Sequence, residues 1–124
     1  MPYRGGMSLW LFKFDQPRGF NAMRAETENF TRIASHVRVS VQPGDHVVIY
    51  NVAEKHVAAV VEVTEPARGR SEGEELERWP YAFGARPELL SSRGPKRSVP
   101  GRNFRRLDGE EFAELKAVVR LNRD

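Results

Sequence analysis

Apolar and polar positions divide the chain into short extended runs closed by one helical run. Met7–Phe14 (MSLWLFKF) is almost wholly apolar and aromatic, the pattern of a largely buried strand. Phe20, Met23 and Thr27 in the next stretch recur three to four apart, which predicts a loop and a short, weak helix between Asp15 and Phe30. Residues 31–41 alternate, with Ile33, Val37, Val39 and Val41 apolar and Arg38 and Ser40 polar, as in a short strand or an extended lead-in. Pro43-Gly44-Asp45 signals a turn before the strand HVVIYNV, and Ala53-Glu54-Lys55 joins it tightly to HVAAVVEV, so residues 46–63 read as a β-hairpin. EPARGRSEGEE reads as a polar excursion, and Arg78–Arg86 as a returning strand. Asp108–Leu121 is the clearest helix. Asp108 is a good N-cap with Glu111 at capping-box spacing, and Phe112, Leu115, Val118 and Val119 form one apolar stripe. Several strands, a hairpin and a closing helix predict a small mixed β-barrel with α decoration.

Length and composition narrow the class. A chain of 124 residues, 40% hydrophobic and 30% charged, fits a single domain with a real core. Residues 1–6 are expected as a flexible tail and residues 7–124 as one domain. No apolar run approaches the roughly 20 residues of a membrane span, and the start does not read as a signal peptide. Without cysteine there is no disulfide, thiolate metal site or cysteine nucleophile, and the expected location is cytoplasmic. Charge changes the picture most. Residues 86–106 hold Arg86, Arg93, Lys96, Arg97, Arg102, Arg105 and Arg106 against Glu88 alone, while the net charge is only +3. A basic segment on a mildly acidic body is the footprint of a polyanion binder, or simply of a solvated loop.

Taken in order, the runs resemble the EVE domains. LWLFKFDQP is similar to their opening strand and turn, VQPGDHVVIYNV with HVAAVVEVTEP to their Pro-Gly-Asp turn and hairpin. RWPYAFGARP is similar to a later strand, and GRNFRRLDGEEFAEL to the closing turn and helix. The likeness spans roughly residues 8–121. EVE domains stand with YTH and ASCH domains in the PUA-like superfamily. The resemblance implies an α+β fold, a small pseudo-barrel of about six mostly antiparallel strands with peripheral helices and a C-terminal helix. It also implies nucleic-acid binding, RNA or DNA, often with a modified base held in an aromatic pocket.

Such a pocket must offset the few kcal/mol lost on unstacking a base. Stacking on aromatic rings returns about 1–3 kcal/mol, polar groups read the base edge, and cations hold the flanking phosphates. By the resemblance, Trp79 stands where the YTH pattern carries a cage tryptophan and is the first candidate wall; capping the barrel is its structural alternative. The second wall falls to Phe30, beside Asn29, where relatives often carry tryptophan. Lys13, Phe14 and Asp15 match the turn that supplies edge contacts, although Phe14 replaces a small hydroxyl residue. Tyr50 and Asn51, at a strand end, are further candidates to line the pocket; a rim tyrosine satisfied by water is the structural alternative. Arg102 matches a late turn and is the leading phosphate contact, with Arg93, Lys96, Arg97 and Arg105 supplying the rest. Trp10, inside an apolar strand, is expected in the core. Neither a cofactor nor a metal is implied: His36, His46 and His56 are scattered, with no i, i+4 pair, and no nucleophile elbow or phosphate-cradling loop occurs. Catalysis is the weaker class. A small-molecule, nucleotide or protein-interaction module remains the alternative to base readout.

Overall fold

The strand predicted at the start of the chain is the seam on which the molecule closes. The computed structural model describes residues 8–14, 23–25, 30–35, 38–52, 54–71, 80–90, 99 and 104–121, with the backbone alone at 14, 23–25, 120 and 121. β1 (Leu9–Phe14) lies parallel to β4 (His46–Asn51) on one side and antiparallel to β7 (Phe104–Arg106) on the other. β2 (Met23–Ala25), β3 (Arg32–Ser35), β5 (His56–Gly69) and β6 (Tyr81–Leu90) complete one seven-stranded mixed sheet, ordered β2-β3-β6-β5-β4-β1-β7. The sheet curls until β2, at one end of that order, meets β1 near the other. With the helix α1 (Gly109–Leu121) laid on the outside, this is a small α+β pseudo-barrel.

Alternation assigns each strand residue to one of two cores. Trp10 and Phe12 of β1, Val47 and Ile49 of β4, Val61 and Val63 of β5 and Phe83 of β6 fill the barrel interior. Leu9, Leu11, Val48, Tyr50, Val60 and Leu89 face the other way and pack on Phe112, Leu115 and Val119 of the helix. The helix starts as its sequence predicts: Asp108 Oδ1 accepts from the Glu111 N–H at 2.7 Å. The Glu111 carboxylate is engaged by Arg105 instead of serving only a capping box.

The turn before β4 is built from its three residues. Gly44 adopts φ 94°, a conformation costly for any residue with a Cβ, and its N–H donates to the Val63 carbonyl at 2.9 Å. Asp45, 2% exposed, points inward. Its carboxylate accepts from Ser8 N–H, Gln42 N–H and Trp10 Nε1, each at 2.9 Å. One acidic side chain thus ties the entry of β1, the lead-in to β4 and the core indole together, satisfying three donors in the interior.

Four expectations need correction. Met23–Ala25, within the stretch predicted as a weak helix, is a strand, because pairing with Ile33–Ser35 outweighs a local helical spacing. β5 does not end where the polar excursion was expected but runs on to Gly69, held by β6 along one flank. The strand predicted over residues 78–86 spans Tyr81–Leu90. The basic stretch near residue 105, expected as loop, contributes β7, one of the seven strands of the described sheet.

Candidate nucleic-acid interface

Two of the predicted base-pocket residues are register partners at the ends of the parallel pair β1 and β4: Lys13 opposite Tyr50. Period-two alternation turns Lys13 to the same face as Leu9 and Leu11, toward the helix side. It is 7% exposed, and its Nζ donates to the backbone carbonyl of Val99. Burial pushes the Lys13 pKa below the usual lysine range, and the nearby Arg105 guanidinium pushes it the same way. Tyr50, 4% exposed, belongs to the helix-side core, where Val99 is also buried. The basic segment therefore enters the core at Val99, held by an apolar side chain and by an ammonium on its carbonyl.

Arg105 sits opposite Leu11 on β7, and its two Nη groups meet the Glu111 carboxylate at 3.0 and 2.8 Å. This two-pronged hydrogen bonding raises the Arg105 pKa above its already high ordinary value. Of the predicted phosphate contacts, Arg105 is thus engaged within the protein. Its neighbour Arg106 is exposed, with the guanidinium carbon 5.1 Å from the Trp10 ring centroid.

The interior carries an aromatic cluster. Trp10 and Phe104 stack with centroids 4.8 Å apart and planes 9° from parallel. Phe12 meets Phe104 and Phe83 edge-on, at 4.4 and 5.4 Å. Phe30, the predicted second wall, packs half-buried against the interior core to which these rings belong. It does so at φ 59°, in the left-handed region that bulky side chains seldom adopt. Holding it there costs of order 1–3 kcal/mol, which the surrounding contacts must overcome. Lys55 is also left-handed, at φ 58°, but it lies at the exposed tip of the β4–β5 hairpin, where turns commonly use that conformation.

The fold therefore brings Lys13 and Tyr50 together on the helix side and places Phe30 on the interior cluster. Trp10 is in the core, as its strand context predicts. Asp15, Trp79, Arg93, Lys96, Arg97 and Arg102 lie outside the described residues, and Phe14 is described by its backbone alone. Among the described residues no three histidines or carboxylates are placed to hold a metal ion.

Sequence reasoning missed Asp45, whose one outward sign is its place in the Pro-Gly-Asp turn. It also missed a cleft of about 240 Å³ between residues 38–42 and the Pro66–Ala67 stretch of β5. The alternation of residues 38–42 was its available signal.

No family model matches the chain, and no curated protein matches it. Among solved structures, the fold is similar to the YTH domain of the Zygosaccharomyces rouxii MRB1 protein, determined in complex with N6-methyladenosine RNA. The likeness covers 99% of this chain and 93% of that one, with a TM-score of 0.52 and 12% identity.

Proposed function

We propose that this chain is a nucleic-acid-binding domain of the EVE kind that takes one flipped base, modified or not, against Phe30 and Trp79, and that it is not an enzyme. The observation that carries this reading is Phe30 itself. A bulky ring held at φ 59° against the interior core is a strained placement of the sort that concentrates at binding sites. The likeness in fold to a YTH domain solved with a methylated RNA supports it. In this reading Trp79 stacks on the opposite face of the base, and the end of β1 with Asp15 offers edge contacts through its backbone. Arg93, Lys96, Arg97 and Arg102 hold phosphates. With Arg105 committed to Glu111, exposed Arg106 is the described cation of this segment best placed to join them.

Tryptophan fluorescence titrations with short single strands, with and without a methylated base, and with an unmodified duplex test the reading. Trp79→Ala and Phe30→Ala should each weaken the single strands by about 1–3 kcal/mol and leave duplex binding nearly unchanged, since no base leaves that stack. Arg97→Ala with Arg102→Ala should weaken every ligand and flatten the dependence of log affinity on log salt, because fewer counterions are released. Equal losses for strand and duplex on removing either ring would reduce the domain to a surface binder of polyanions. No binding of any oligonucleotide would leave the small-molecule or protein-interaction module.

A further inference from the structure

The cleft beside the distal half of β5 has an identifiable origin. The β4–β5 ladder closes with His46 opposite Glu62 and two further bonds linking Gly44 and Asp45 to Val63. Beyond that point β5 continues for six more residues, paired with β6 on one flank (Glu65 with Gly84, Arg68 with Ala82). On the other flank the extended residues 38–42 run alongside without joining the sheet. Pro66 lines this flank and has no N–H to carry a ladder forward. The two segments part there, and the cleft is the space between them.

Both walls are fixed. Val39 and Val41 are buried in the interior core, and the Gln42 N–H is bound to the Asp45 carboxylate that also holds Trp10. The alternate residues Arg38, Ser40 and Gln42 are exposed and line the cleft. Glu65, the nearest carboxylate in sequence on the opposite wall, turns its stem toward β6: a Cβ placed on Gly84 would lie 3.4 Å from Glu65 Cβ and 3.5 Å from Cγ.

Arg86 pairs with Glu62, Arg105 with Glu111 and Lys116 with Glu88, while Lys13 holds the Val99 carbonyl and Arg106 lies over Trp10. Arg38 in the cleft and Arg68 beside Ala67 are exposed, and neither meets a carboxylate among the described residues. About 240 Å³ is more than a bare anion occupies, yet below the roughly 300 Å³ where drug-sized pockets begin. That suits one nucleotide unit held in part, its phosphate and one of its rings within the cleft.

We propose that this cleft binds a phosphate-bearing ligand of mononucleotide size, with Arg38 on the phosphate, Ser40 and Gln42 on the polar edge of the attached ring, and Pro66 against its face. Arg38 can grip a phosphate through two parallel N–H groups, and exposed Arg68, next in the chain after Ala67 of the facing wall, adds field. The phosphate belongs either to a free nucleotide or to one unit of a single strand. The site does not depend on the base pocket proposed above, and it uses none of the same side chains.

Nuclear magnetic resonance titration of the full chain tests this, with AMP, a dinucleotide and sodium sulfate added separately at matched ionic strength. AMP or the dinucleotide should give saturable shifts at the amides of residues 38–42, 67 and 68 and at the Arg38 Nε–H. Arg38→Ala, at an exposed position that leaves folding intact, should weaken that binding about tenfold or more. Lys55→Ala, an exposed cation at the hairpin tip, should change nothing, and neither should the Arg97→Ala, Arg102→Ala pair that tests the base pocket. Saturation by AMP identifies a free nucleotide as sufficient, whereas saturation by the dinucleotide alone identifies a strand. Linear shifts no larger than those from sulfate, or full binding by Arg38→Ala, would overturn the proposal whatever becomes of the base pocket.

Discussion

At the scale of single residues, position within an alternating strand decides what a charged group does. Lys13 follows Leu9 and Leu11 at period two, so its stem enters the same apolar face, and its ammonium finds one carbonyl in place of water. That environment disfavours the charged form, so the native protein binds this proton less tightly than the unfolded chain does. Between the lowered native pKa and the ordinary lysine value, the unfolded state holds more protons, and stability therefore rises with pH through that window. Urea unfolding at about pH 8 and about pH 10 should show this rise in the native chain, and Lys13→Met should largely abolish it. An equal rise in the variant would place its source elsewhere. Asp45 is a buried carboxylate whose three donors account for its burial.

At the scale of elements, β6 carries a bulge that its sequence gives little reason to expect. Val60 pairs with Leu89 but Val61 with Pro87, so Glu88 is the extra residue. The bulge leaves Leu89, opposite Val60, in the helix-side core. It also sends the Glu88 carboxylate to the helix side, where it meets His46 Nδ1 of β4 and, at 3.3 Å, Lys116 Nζ of α1. Glu88→Ala removes two partly exposed contacts and should cost about 1 kcal/mol or less in urea unfolding. Deleting Glu88 removes the same contacts but makes the pairs Val60–Leu89 and Val61–Pro87 consecutive, with Leu89 still opposite Val60, so it should cost about as much as the substitution. A deletion that costs far more than the substitution would show that the irregular backbone at Glu88 is itself needed.

At the scale of the whole molecule, what was legible depended on whether a segment's neighbours in space are also its neighbours in sequence. The hairpin, the Pro-Gly-Asp turn, the capped helix and the buried Trp10 follow from local pattern. β7 did not, because Phe104-Arg105-Arg106 is extended only by virtue of β1, nearly the whole chain away. Met23–Ala25 is too short to show a period, and the proline, glycine and charges of distal β5 read as loop until β6 is laid beside them. The same limit applied to the site. The residue types of an aromatic and cationic interface could be named from the sequence. The commitment of Arg105 to Glu111, the burial of Lys13 and the cleft beside β5 arise from contacts between distant segments.

Pro66 has a bearing on how copies of this protein behave in company. A strand flank with unmet N–H and C=O groups is a template on which another chain can lay its own strand, the first step of sheet-to-sheet aggregation. Pro66 interrupts that template in the stretch where β5 has outrun β4. Pro66→Val restores an N–H and adds a residue that favours strands. It should leave the fold intact while promoting concentration-dependent association, seen as higher-mass species by light scattering and as thioflavin-positive fibrils on prolonged incubation. A variant that stays as monodisperse as the native chain would show that the twist of the sheet alone guards this flank.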